Sequence, residues 1–253
     1  MQDASTLLTK TNQFLSRILK IGAKNPRDIQ YIFGIANAAA EAIANPQADT
    51  RCFERINVLD LADATTRWTL QLFPGVGASV SPMECAALAA LIAKTNASRV
   101  FEFGTYKGVS TTQLALNISP QGRVFTLDLP EDHPAYSLEI SKESERAIAS
   151  EKGKGILVPA DLRDRVTFLR FDSAKFDTTP YLESMDLVFV DGAHSYDYVE
   201  NDTIKGWKML RSGGAIAWHD CVSSHPDVVR FLKGFRSDIK LVDGTAIAFA
   251  VKP

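Results

Sequence analysis

The sequence predicts an α/β fold with a largely parallel sheet, and three observations carry that prediction. From residue 98 onward, short apolar runs alternate with helical patterns, the signature of βαβ units. The runs, at residues 99–103, 123–127, 166–171, 186–190 and 215–218, are nearly continuous in apolar character, as strands buried on both faces are. The chain then closes with residues 239–242, an Asp243-Gly244 turn signal and residues 246–251, which read as an antiparallel hairpin. Crossover helices are expected at residues 110–116, 141–151 and 198–210, with a further helix at 227–235.

The first part of the chain reads differently. Leu7, Leu8, Phe14, Leu15, Ile18, Leu19 and Ile21 recur at helical spacing, residues 26–44 form a second, Ala-rich helical pattern, and no strand alternation is visible. Residues 72–81 are a Gly/Pro break, after which residues 82–94 resume as a helix with Ser81 placed to cap it. These features divide the chain into a helical extension over residues 1–75, expected to act as a cap or a contact between two copies, and a core over residues 76–253. A length of 253 residues is near the upper end of what one α/β core fills.

Charge and cysteine content narrow the function classes. With 28 Lys+Arg against 30 Asp+Glu and no basic run, phosphate neutralisation on a nucleic acid is not expected. Three scattered cysteines, Cys52, Cys85 and Cys221, fit a reducing compartment, so the expected location is the cytoplasm. The N-terminal segment lacks a signal-peptide pattern, and no apolar stretch is long enough to span a bilayer, so no membrane partner is expected.

The residues that could carry chemistry follow the strands. The first strand and its loop contain Glu102, Gly104, Tyr106, Gly108 and Ser110 in an E-x-G-x-Y-x-G-x-S pattern opening a helix. The glycines let backbone amides approach a ligand, and the helix N-terminus favours an anionic group; a plain strand-to-helix turn explains the same glycines equally well. Asp128 ends the second strand, where a carboxylate either holds a ribose diol or caps the turn before Pro130. Asp172 and Ser173, after the third strand, stand where an adenine amino group would be met, although both are also common turn residues.

Two further runs end in acids: residues 186–191, followed by Gly192-Ala-His194-Ser-Tyr196, and residues 213–220, ending in His219-Asp220-Cys221. Neighbouring parallel strands lie about 4.8 Å apart, so Asp191 and Asp220 should converge at one sheet edge. Two converging carboxylates call for a positive group, and a divalent cation, Mg2+ first, is expected at Asp191 and Asp220. His194 is the candidate general base, with a helix cap as its structural alternative. Strand alternation turns His219 the other way. The long segment 129–165, with His133 and Tyr136, reads either as the lining of an acceptor pocket or as an elaborated surface loop, the second being preferred.

The order of these motifs resembles the class I S-adenosylmethionine-dependent methyltransferases over roughly residues 82–253, with the Glu102–Ser110 loop similar to that of catechol O-methyltransferase and its relatives. The Asp191-Gly-x-His-x-Tyr and Gly213-Gly-x-x-x-x-His-Asp signatures look closer to a subgroup that includes sugar and natural-product O-methyltransferases. The resemblance implies a Rossmann-like, doubly wound seven-stranded sheet of order 3-2-1-4-5-7-6 with the last strand antiparallel. It implies S-adenosylmethionine as cofactor, with Gly104, Tyr106 and Ser110 around its methionine end, Asp128 on the ribose, and Asp172 and Ser173 at the adenine; Glu102, Gly108 and Asp191 are further candidate cofactor contacts, and Asp191 is a catalytic candidate beside His194. The implied activity is transfer of methyl to a hydroxyl of a small molecule.

Two positions depart from the catechol-type pattern. His194 replaces a lysine, and Cys221 stands where an amide or acid would complete a metal site, leaving the third ligand unassigned. Alternatives are therefore a metal-independent enzyme with His194 as base, or a non-catalytic cofactor-binding protein. A dinucleotide enzyme is disfavoured by the absent third glycine.

Overall fold

Eight strands form one sheet in the computed structural model, which describes residues 48–253 apart from 64, 74, 132–135 and 141. In chain order they are β1 (Glu54–Ile56), β2 (Arg99–Phe103), β3 (Arg123–Asp128), β4 (Val166–Arg170), β5 (Met185–Val190), β6 (Leu210–Trp218), β7 (Lys240–Val242) and β8 (Ala248–Val251). They lie side by side as β1-β7-β8-β6-β5-β2-β3-β4. Strand β8 runs antiparallel to both neighbours and every other pairing is parallel. Counted from β2, the order is the expected 3-2-1-4-5-7-6.

Strand β1 corrects the expectation of seven strands and of a helical segment running to residue 75. Glu54 to Ile56 pair parallel with Lys240 to Val242 at the sheet edge. Three residues hold no readable alternation, and they are extended because the β7 edge offers its backbone groups. Beyond β1 the chain stays irregular and leans on the core. Leu61 is buried, Trp68 and Phe73 pack against the same cluster, and the Gln113 and Asn117 side chains donate to the Gln71 and Thr69 carbonyls. The helical patterns expected at residues 7–21 and 26–44 lie outside the described residues.

Among the described residues five α-helices accompany the sheet: α1 (Pro82–Thr95), α2 (Val109–Asn117), α3 (Glu143–Ala149), α4 (Tyr196–Met209) and α5 (Pro226–Gly234). Helix α1 starts where Ser81 was expected to cap it, through a full capping box in which Glu84 Oε2 accepts the Ser81 N–H at 2.7 Å. Strand alternation sorts the apolar side chains into two layers. Val100, Val124, Leu187, Phe189 and Ala217 pack under α1 and α2, while Phe101, Phe103, Val188, Val190 and Trp218 pack against α4 and α5. Each large side chain so covered contributes about 1.5–3 kcal/mol.

Because β2 to β6 are parallel, their carboxyl ends share one edge, and that edge carries Gly104, Asp128, Asp172, Asp191 and Asp220. Among the described residues, no helix is long and apolar enough to cross a membrane. The three cysteines are unpaired, with Cys52 exposed and the other two buried.

Candidate active site

A cavity of about 430 Å³ opens along this edge and is lined from all five strand ends. Its size suits a small-molecule or cofactor site. The segment between β3 and β4 is more than a surface loop, since Leu129, Ile140, Glu145 and Ile148 contribute to the lining. His133 lies outside the described residues, and Tyr136 is exposed.

The glycines of the β2–α2 loop answer first to the chain itself. A Cβ at Gly104 (φ 95°) would fall on the Asp191 carbonyl, and at Gly108 (φ 90°) it would meet Val158 Cγ2 at 2.7 Å. The loop thus lies tightly between β5 and the 153–158 segment, and Tyr106, also left-handed at φ 42°, completes the turn. Gly104, Tyr106, Gly108 and Ser110 all line the cavity.

Asp128 is the hub that holds this loop. Its Oδ2 accepts the Thr105 N–H (3.1 Å) and the Tyr106 N–H (2.8 Å), while Oδ1 accepts the Leu129 N–H (2.7 Å) and the Lys154 ammonium. Four donors fill the four lone-pair positions of the carboxylate, so a ribose diol would have to displace one of them. Lys154, buried to 2% side-chain exposure, is the partner that sequence reasoning missed.

Glu102 does not reach the cavity, which corrects its placement among the cofactor contacts. It lies fully buried on the α2 side of β2, accepting from the Thr111 and Thr126 hydroxyls at 2.5 Å each. Burial pushes its carboxyl up to about 7, against the pull of these hydroxyls. The stability carried by the protonated form is complete below the unfolded value of 4.5 and is lost as pH rises through about 7. A shift of that size corresponds to about 3 kcal/mol. Urea unfolding should show wild type losing stability relative to Glu102→Gln across this window; parallel pH profiles for the two proteins would contradict it.

At the far end, Asp172 Oδ1 accepts the Tyr198 hydroxyl (3.0 Å) and the Ala174 N–H (2.9 Å), and Oδ2 accepts the Ser137 N–H (2.7 Å). Burial would raise Asp172, but these donors hold it below the usual carboxylate range. Ser173 shares the lining, and beside it Asp202 on α4 is wholly buried, its carboxyl pushed up to about 7 by burial. No spacing pattern marks Asp202 in the sequence.

The other end is a cluster of acids and imidazoles. Asp191 and Asp220 converge as expected, and the positive group between them is His219, whose Nδ1 lies 3.1 Å from Asp191 Oδ1 and 3.0 Å from Asp220 Oδ2. This corrects the outward orientation expected for His219. Strand β6 ends at Trp218 and Asp220 turns into the left-handed region at φ 56°, so alternation no longer governs the two residues. The Nε2 of His219 faces Glu84 Oε2 at 3.3 Å. Burial works against ionising either partner, but Asp191 first, then Asp220 and Glu84, raise the imidazole well above its ordinary value, and His219 in turn brings Glu84 down to about 2.

His194 is enclosed by carboxylates. Its Nε2 lies 2.8 Å from Asp220 Oδ2 and 4.0 Å from Asp191 Oδ1, and its Nδ1 lies 3.3 Å from Glu145 Oε1. Burial lowers an imidazole, yet these three carboxylates raise His194 well above its ordinary value. Both ring nitrogens are buried, so neither faces the open cavity where an acceptor would sit. His225 joins from the start of α5, with Nδ1 3.4 Å from Asp220 Oδ1. Cys221 turns away into the α4–α5 layer, fully buried with its thiol pushed up to about 12, and offers nothing to a metal.

The ligand atoms of Asp191, His219 and Asp220 all lie within 4.8 Å of one another. A divalent cation fits this set, but the imidazole nitrogen departs from the all-oxygen coordination that Mg2+ prefers and suits Mn2+, Fe2+, Co2+ or Zn2+ better. Cavity, glycine loop, acid-tipped strands and sheet order together meet a single family pattern, and residues 101–221 match the family model described as a methyltransferase domain. Over those residues the core is similar to methyltransferase domains.

The proteins to which this chain is similar are of several kinds. A Mycobacterium sp. (strain KMS) protein assigned as an O-methyltransferase is 32% identical over 147 residues, covering 57% of this chain and 58% of that protein. Catechol O-methyltransferase B of Danio rerio is 25% identical over 159 residues, covering 59% and 53%. The match therefore spans under two thirds of these relatives. An O-methyltransferase structure from Klebsiella pneumoniae aligns with TM-score 0.50 at 17% identity, over 70% of this chain and 84% of that one, which speaks for the fold.

Proposed function

We propose that this chain moves the methyl group of S-adenosylmethionine to a hydroxyl oxygen of a small molecule. One observation carries the reading: a single cavity joins Asp172 and Asp128 at one end to Asp191 and Asp220 at the other, so a cofactor and an acid-lined acceptor position adjoin. The donor chemistry fits the cofactor. The Asp172 carboxylate at the β4 end suits an exocyclic amine, and Asp128 at the β3 end suits a ribose diol that displaces one of its four donors. The names of the mycobacterial and zebrafish relatives support oxygen as the acceptor atom.

When bound, S-adenosylmethionine supplies an electrophilic methyl that passes to the acceptor oxygen by in-line displacement as the sulfonium loses its charge. The protein's own contribution is alignment and proton removal. The β2–α2 loop, pinned by Asp128, would position the methionine end, and Leu129, Ile140 and Ile148 add apolar lining to the cavity. Asp191, His219 and Asp220 would hold a cation that would acidify the acceptor hydroxyl, whose proton would leave to solvent through the opening of the cavity. His194, with no nitrogen open to the cavity, is assigned to organising this end instead of to direct proton abstraction.

Transfer of labelled methyl to phenols, sugars and hydroxylated natural products tests the reading. Label recovered as an oxygen-linked methyl is expected; tight cofactor binding with no transfer to any acceptor would favour the non-catalytic alternative. Chelation is expected to slow turnover roughly a hundredfold, equivalent to about 3 kcal/mol, with Mn2+ restoring it better than Mg2+. Unchanged turnover after chelation would remove the cation from the mechanism. The same reading assigns the segment before residue 75 to covering the acceptor side or joining two copies, which light scattering distinguishes, and the unpaired cysteines suit a reducing compartment such as the cytoplasm.

A further inference from the structure

We infer that Glu145, His194 and His225 form a second divalent-cation site, joined through Asp220 to the Asp191–His219–Asp220 set, so that the cleft takes a pair of nitrogen-tolerant first-row ions. The ligand atoms of Glu145, His194 and His225 lie within 4.8 Å of one another, as do those of the neighbouring trio. The two imidazoles of the second trio face each other with ring centroids 4.7 Å apart and planes inclined by 60°.

Asp220 is the shared member. Its Oδ2 lies against His194 Nε2 (2.8 Å) and His219 Nδ1 (3.0 Å), and its Oδ1 against His225 Nδ1 (3.4 Å). A carboxylate whose two oxygens face imidazoles of two different trios is placed to bridge two ions. It is held there by a left-handed backbone at φ 56°, a strained conformation for a residue other than glycine.

The polar atoms themselves point to missing partners. Both ring nitrogens of His194 and Nε2 of His219 are buried without an aligned hydrogen bond, although carboxylate oxygens stand close by. Buried polar groups are ordinarily satisfied, and nitrogens surrounded by oxygens without donor alignment are what a ligand cage looks like before its ion. Charge agrees. Glu145, Asp191 and Asp220 at one end of the cavity, with Glu84 behind His219, bring four negative charges to the cluster, which two divalent ions balance while leaving the three imidazoles neutral as ligands. Two or more nitrogen donors select first-row transition ions over Mg2+ and Ca2+.

The inference rests on the first trio being a cation site, and the experiment separates the two. Calorimetric titration of the metal-stripped full chain with Mn2+ is expected to give two equivalents. Glu145→Gln and His225→Ala should each leave one, His219→Ala should leave the other, and Asp220→Ala should impair both. Mn2+ electron paramagnetic resonance of the fully loaded protein is expected to show an exchange-coupled pair, replaced by an isolated-ion spectrum in the Glu145 and His225 variants. Thermal melts and S-adenosylmethionine binding check that each variant is folded. A single equivalent in wild type that is lost with His219→Ala would overturn the second site while leaving the first. No binding at all would overturn both, and so would two equivalents indifferent to Glu145→Gln and His225→Ala for the assignment made here.

Discussion

Asp128→Ala is expected to destabilise the protein by about 3–5 kcal/mol and to abolish measurable cofactor binding. The substitution strands four donors at once: the Thr105, Tyr106 and Leu129 amides and the Lys154 ammonium. The ammonium is the costly one, because at 2% side-chain exposure it has no water to replace the lost carboxylate. The freed Tyr106 amide also releases a turn that Tyr106 makes in the left-handed region, so the loop that lines the cavity loses its anchor. Denaturant unfolding measures the first effect and cofactor titration the second. Asp128→Ala combined with Lys154→Met should recover part of the stability, since the buried charge is gone, but none of the binding. A loss under about 1 kcal/mol in the single variant would mean that Lys154 reaches another partner.

Asp220→Ala should leave the fold intact and lower turnover by roughly a thousandfold or more, the scale of losing a principal group that stabilises transition-state charge. Asp220 touches His194, His219 and His225, so its removal separates the three imidazoles from the carboxylate that gathers them. Burial alone would raise its carboxyl, yet the two facing imidazoles hold it well below the usual carboxylate range, which keeps it ionised across the working pH range. The expected signature is a fall in kcat with little change in cofactor affinity, because Asp128 and Asp172 lie at the other part of the cavity. An equal loss of cofactor affinity would place Asp220 in cofactor binding, and full activity would remove it from the chemistry.

The parallel core was legible because β2, β5 and the 215–218 end of β6 are short, continuous apolar runs buried on both sides; every position of β5 is buried. Strand ends carry the chemistry in such a sheet, so Asp128, Asp172, Asp191 and Asp220 could be named from their positions alone. What escaped was whatever depends on contacts between distant segments. Strand β1 exists through its pairing with β7, nearly two hundred residues away, and has no pattern of its own. Alternation does not reach His219, because β6 ends at Trp218 and the chain enters the left-handed turn at Asp220. Glu145 and His225 reach the acidic end only because α3 and the start of α5 are folded over it, and Lys154 meets Asp128 from a loop 26 residues on. Glu102 shows the reverse error: a motif residue expected at the ligand is spent beneath α2, holding two threonine hydroxyls.

Calorimetric titration with S-adenosylmethionine, with NAD as the control ligand, is the most direct measurement of the cavity's purpose. Saturable one-to-one binding of S-adenosylmethionine at sub-millimolar concentration is expected, absent in Asp128→Ala and preserved in Asp220→Ala, with no heat from NAD. No binding of S-adenosylmethionine at millimolar concentration, or binding of NAD in its place, would contradict the assignment of this cavity to methyl transfer.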